Sequence, residues 1–136
     1  MRKLSLIAGT LAFATPVMAQ DGDPVFDRQF CGTLTPIVEQ MNGAIADAGE
    51  PTVVDEITKL TGIDVDCEAK TLQINHVISV GQAALETGWE ERKQSQWNDI
   101  YCDGDLWEEA VSGGWQILDV IHFADKTQYI VAAICN

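Results

Sequence analysis

Residues 57–78 read ITKLTGIDVDCEAKTLQINHVI, and the period of this stretch decides the fold. Ile57, Lys59, Thr61, Ile63, Val65 and Cys67 fall on one side of an extended chain, with Glu56, Thr58, Asp64 and Asp66 on the other. A period of two with β-branched residues marks a half-buried strand. Glu68, Ala69 and Lys70 suit a turn. Leu72, Ile74, His76 and Ile78 then alternate with Thr71, Gln73, Asn75 and Val77. Two such runs around a short polar break predict a β-hairpin.

The same grammar recurs downstream. Trp115 to Phe123 and Gln128 to Ile134 flank the polar turn Ala124 to Thr127, which predicts a second hairpin. Apolar residues on both faces of Trp115 to Phe123 mark that strand as central. Two helices fill the interval. Thr87 with Glu90 has the capping-box spacing and opens a helix to about Tyr101, along which Trp89, Lys93, Trp97 and Ile100 form a thin stripe. Asp105 to Glu108 opens a second helix with an acidic first turn, and Gly113-Gly114 ends it.

Upstream, Asp23-Pro24 and Thr35-Pro36 both pair an N-cap residue with proline at the first helical position. The second is the stronger start. It leads into Ile37, Met41, Ala44, Ile45 and Ala48 on one helical face, stopped by Gly49 and Pro51. The expected order is α-ββ-αα-ββ: an α+β domain whose four-stranded antiparallel sheet, built of two hairpins, is covered on one face by helices.

Residues 1–19 carry the pattern of a cleavable export signal. Arg2 and Lys3 precede the apolar run Leu4 to Ala14, and Val17-Met18-Ala19 offers small side chains for cleavage. Residues 20–136 are then expected as one domain in the periplasm. The chain holds 21 Asp and Glu against 8 Lys and Arg, a net charge of −13, and cleavage would remove two of the basic residues. Such a charge repels phosphate backbones and excludes nucleic-acid binding. Beyond the signal there is no apolar run long enough to span a membrane.

An exported destination makes disulfides reasonable for Cys31, Cys67, Cys102 and Cys135. Four cysteines allow three connectivities. The layout of elements favours Cys31–Cys67 and Cys102–Cys135, each tying a helix to a strand within its own half. Either would close a loop of roughly 35 residues, worth about 3–4 kcal/mol in the chain-entropy model. No Cys-x-x-Cys pair occurs, which argues against zinc, thiol–disulfide catalysis and haem attachment.

The search for a reactive centre returns little. His76 and His122 both fall in strands and, with Asp119 or Asp64, form the one metal or acid–base set on offer, without a ligand-spacing motif. Ser79, Ser95 and Ser112 lack a nucleophile motif, and no phosphate loop occurs. Asp99, Asp103, Asp105, Glu108 and Glu109 gather around Cys102, but their spacing is not that of a calcium loop. No catalytic residue, metal or cofactor is therefore expected. Trp89, Trp97 and Trp107 stand on a sparsely apolar helical stretch, where tryptophan serves as a binding anchor as well as core. They make up the candidate binding surface.

From residue 53 to 136 the layout resembles a known class. Cys102, an acidic step, the helix Asp105 to Ser112, Gly113-Gly114, strand, turn, strand and Cys135-Asn136 follow in order. That is similar to small exported disulfide-bonded α+β domains, which include pilotins of type II secretion. The resemblance implies a helix-covered sheet, a structural Cys102–Cys135 bridge and a groove that grips a helix of another protein. Gln20 stands where those lipoproteins carry a lipidated cysteine. The expected function is a non-catalytic periplasmic binding or accessory protein, with another periplasmic or envelope protein as partner, a basic one suiting the charge. The alternatives are a small metal-binding protein or enzyme using His76 and His122, and an inhibitor of an exported hydrolase. For the inhibitor, Ser79 to Gly88 is the expected mobile connection.

Overall fold

The computed structural model describes residues 23–135. The signal expected at residues 1–19 lies outside them. Three helices and five strands follow in order: α1 Pro24–Ala48, β1 Thr52–Val53, β2 Thr58–Asp66, β3 Thr71–Ile78, α2 Trp89–Tyr101, α3 Asp105–Ser112, β4 Gln116–Phe123 and β5 Gln128–Ala132. A single 3-10 turn, Gln82–Ala84, sits between β3 and α2.

Helix α1 starts at the earlier of its two expected caps. Asp23 accepts the Val25 N–H at 2.9 Å, and Pro24 takes the first helical position. The start expected at Thr35-Pro36 is corrected: Pro36 lies inside the helix. An interior proline costs about 3 kcal/mol because it removes one N–H and crowds the preceding turn. Burial of Phe30 and Leu34 before it and Val38 after it holds the helix together across that break. The Thr35 hydroxyl also donates back to the Cys31 carbonyl at 2.8 Å. The longer helix rotates the buried face. Phe30, Leu34 and Val38 point inward, whereas Ile37 and Met41 remain 48% and 39% exposed. Gly49 ends the helix in the left-handed conformation, at φ 72°.

The two expected hairpins form, β2 with β3 and β4 with β5, both antiparallel. The sheet joining them differs from expectation in two ways. It has five strands in the order β1-β2-β3-β4-β5, and β3 pairs with β4 in parallel. The physical cause is the connection. The α2–α3 segment carries the chain back along the sheet, so β4 enters from the same end as β3, as a crossover demands. The extra strand β1 is a two-residue edge piece paired to Leu60 and Lys59.

Strand β2 also departs from simple alternation. Leu60 pairs with His76 and Gly62 with Asn75, leaving Thr61 as a bulge. Leu60 and Ile63, three residues apart, are therefore both buried. The expected face containing Lys59 and Thr61 holds only from Ile63 onward.

Leu72, Ile117 and Val131 from the sheet join Phe30, Leu34, Trp97 and Ala110 from the helices in one core. Trp115 sits beneath Phe30 at 4.8 Å, edge to face. Side-chain amides close both sheet edges. Asn42 donates to the Ile63 carbonyl at 2.7 Å and accepts the Ile63 N–H at 2.9 Å. At the other edge Gln94 donates to the Ala132 carbonyl, and Asn98 accepts the Ile134 N–H. Open edges invite pairing with other chains, and these amides occupy the groups that would do it.

The capping box at Thr87 does not form. Gly88 is the cap residue of α2 at φ 86°, without a side-chain bond. The disulfides are Cys31–Cys67 and Cys102–Cys135, with Cα–Cα distances of 5.8 and 5.3 Å. Each ties the end or body of a helix to the end of a strand. Among the described residues no helix is long and apolar enough to cross a membrane.

Candidate functional site

The functional geometry lies on the helix-covered face, where α2 packs over β4 and β5. The stripe Trp89, Lys93, Trp97 recurs every four residues, so one side of α2 presents a cation between two indoles. Trp97 is 4% exposed and donates its indole N–H to the Ile117 carbonyl at 3.0 Å. Trp89 packs edge to face on Tyr129 at 4.9 Å and on Phe123 at 5.5 Å. Lys93 lies 5.4 Å from the centre of the Trp97 ring.

Beneath Lys93 sits Asp119, which is 0% exposed. His76 Nδ1 is 2.6 Å from Asp119 Oδ1, and Lys93 Nζ is 2.8 Å from Oδ2. The Lys93 contact is an ion pair, and no other donor reaches Oδ2. Burial pushes the Asp119 carboxyl up, but the His76 hydrogen bond and the Lys93 charge outweigh it and hold the group below the usual carboxylate range. The aspartate is therefore ionised and internally matched. The same buried charge, acting after burial itself, helps push the Tyr101 hydroxyl up to about 12.

Two cavities meet at this cluster, and His76 and Trp97 line both. The first, about 310 Å³, opens between α2 and the β1–β2 corner, with Trp89, Lys93, Ile78, Thr58 and Val54 in its walls. The second, about 350 Å³, runs between α1 and the α2–α3 corner over Leu60 and Leu72. Its walls are almost wholly apolar, with Met41, Ile37, Tyr101 and Trp107 at the sides. Together they form a two-ended groove, polar at one end and greasy at the other.

The candidate tryptophans divide along this groove. Trp89 lines the polar end, Trp107 the apolar end and Trp97 the junction. Trp107 also packs against Phe30 and Tyr101. The paired-histidine site fails on geometry. His76 registers with Ile121 and His122 with Val77, so the two rings point to opposite faces of the sheet. Asp64 lies with His122 on the far face, where it accepts from Asn75. Among the described residues no group of three or more His, Cys, Asp or Glu could hold a metal ion. The acidic residues around Cys102 are exposed. The Ser79 to Gly88 segment, expected to be mobile, is pinned to the β4–β5 turn: the Gln82 N–H donates to Asp125 at 3.1 Å and its side chain to Thr127 at 2.8 Å.

Sequence reasoning grouped His76 and His122 with Asp119 or Asp64, kept the Trp89–Lys93–Trp97 stripe apart, and missed that Lys93 joins His76 at Asp119. Each i, i+4 step was visible. The partner of Lys93 depends on the β3–β4 register, which no local pattern encodes.

No protein-family model matches the chain, and no curated protein matches it. Two solved structures do. A secreted protein from Pseudomonas aeruginosa superposes with a TM-score of 0.57 at 13% identity, covering 82% of this chain and 94% of its own. The pilotin of the Vibrio vulnificus type 2 secretion system superposes with a TM-score of 0.44 at 14% identity, over the same shares. The first likeness shows the fold.

Proposed function

We propose that the protein is a non-catalytic accessory factor of the cell envelope, exported to the periplasm, which holds an apolar segment of another envelope protein in the groove between α1 and the α2–α3 corner. One observation carries this reading. Ile37 and Met41 stand half exposed beside an apolar channel of about 350 Å³ whose floor is the sheet core. A concave apolar site of that size is the usual form of a recognition groove. An apolar stripe of one helix laid into such a groove buries its anchors at three- and four-residue spacing. The two disulfides and the N-terminal pattern support export. The charge of −13 favours a basic partner through long-range attraction.

The test places a photo-crosslinking residue at Met41 and, separately, at His122 on the opposite sheet face. In the native host, a discrete adduct from position 41 and none from 122 is expected. Equal adducts from both positions, or none from 41, would defeat the groove reading.

A further inference from the structure

The polar end of the groove has chemistry of its own. Its acceptor is buried and its donors face the cavity. Asp119 is wholly enclosed, whereas the side chains of His76 and Lys93 keep 14% and 25% of their surface. An ammonium carries three N–H donors, and the protein group in contact with this one is Asp119, as an ion pair at 2.8 Å. Two further N–H groups are thus free to meet a guest. The indole of Trp89 stands a turn before Lys93 and that of Trp97 a turn after, and Val54, Ile78 and Ile121 close the far side. Asp55, at the rim, accepts the N–H groups of Ile57 and Thr58 through a single oxygen at 2.9 and 2.8 Å, and these bonds, aided by the Lys93 charge, hold its carboxyl below the usual carboxylate range.

We infer that this cavity is a binding site for a small aromatic carboxylate, with the carboxylate on Lys93 beside His76 and the ring against Trp89 and Trp97. The volume of about 310 Å³ suits one ring with a short chain. A charge-assisted bond to an ammonium is roughly twice as strong as a neutral one, so the anion is preferred to its amide. The site does not rest on the groove reading, since none of its contacts involves α1.

The probe is 3-phenylpropionate, titrated into the disulfide-bonded protein beside 3-phenylpropionamide. Tryptophan fluorescence and the indole N–H resonances report binding. The acid is expected to saturate with a Kd on the order of 1 mM, as so few atoms allow. The amide should bind about tenfold more weakly or not at all. The indole of Trp89 should shift and that of Trp115, under α1, should not. Lys93→Arg should stay within about threefold of wild type, and Lys93→Met should lose about tenfold. The comparison of acid with amide on the wild-type protein needs no variant and stands even if Lys93→Met misfolds. Met41→Ala should leave the Kd unchanged, so failure of the apolar groove and failure of this site are separable. Equal affinity for acid and amide, or no saturation by about 10 mM, overturns the inference.

Discussion

Two clusters in this molecule are made from the same parts, an aspartate, a lysine and a tryptophan, and they come to opposite ends. At one end of the sheet Asp27 of α1 accepts the Trp115 indole N–H at 3.1 Å and the Lys70 ammonium at 3.1 Å. Lys70 also donates to the Gly113 carbonyl. Both carboxylate oxygens have donors, the ammonium has two acceptors, and neither cavity of the groove is lined by Asp27, Lys70 or Trp115. In the middle of the sheet Asp119 is matched by His76 and Lys93, but Lys93 keeps donors to spare and opens into a cavity. A polar cluster whose groups are all used is a lock. The same chemistry with donors left over is a site.

The sharpest way to break that comparison is to delete each carboxylate. Asp119→Ala leaves an ammonium and an imidazole under α2 with no counter-charge. Removing one partner of a buried pair costs about 3–5 kcal/mol, and a fall of that size in the denaturant-derived unfolding free energy is expected. Asp27→Ala breaks a cluster that is about one-fifth open to water on both sides of its ion pair. Solvent screens the loss, and about 1–2 kcal/mol is expected. If the two variants lose the same amount, the contrast between lock and site is wrong in its energetics.

Acid sharpens it further. Asp119 has a depressed folded-state pKa, so its contribution is present above the unfolded value near 4 and disappears as the pH falls through the lower folded value. Asp55 and Asp125 carry the same sign, the first held down mainly by the Ile57 N–H and the second by Thr127. Unfolding free energy measured from pH 7 downward should therefore decline steeply below about pH 4 in the wild type. Asp119→Asn, less stable at pH 7, should show a shallower decline, because one proton-linked group is gone. A decline of unchanged slope would remove Asp119 from the acid response.

How much of this was legible depends on range. The hairpins were readable because their signals belong to neighbours: alternation from Leu72 to Ile78, and a polar turn between β-branched and aromatic flanks from Trp115 to Ile134. The bulge at Thr61 was hidden because Gly62 and Thr61 satisfy either phase until His76 is known to sit opposite Leu60. Pro36 misled for a related reason. A local rule for helix starts was overridden by the burial of Phe30 and Leu34, which lie upstream of it. The parallel joint between β3 and β4 was invisible, since both hairpins read alike whichever way they meet. The site inherits that gap. His76 and Asp119 become diagonal neighbours only in the parallel register, in which Ile74 faces Asp119 and His76 faces Ile121. With an antiparallel joint the two strands would align in another register, and the pairing that sets the cluster would be lost. The Trp89–Lys93–Trp97 stripe, a local feature, could be read. What Lys93 holds could not.

The smallest expected effect comes from Tyr101, which stands at the apolar end and feels the buried charge from a distance. Burial first and Asp119 second raise its hydroxyl to about 12. A raised folded-state pKa means that the contribution is whole below the unfolded value near 10 and is lost as the pH climbs through about 12. Tyr101→Phe at neutral pH removes one hydroxyl and leaves the ring packed on Trp97 and Trp107, so a change within about 0.5 kcal/mol is expected there. Above pH 10 the wild type should lose stability faster than the variant. In an Asp119→Asn background that alkaline difference should shrink, because one of its two causes is gone. If it does not shrink, burial alone sets the Tyr101 ionisation, and the two ends of the groove are electrostatically independent.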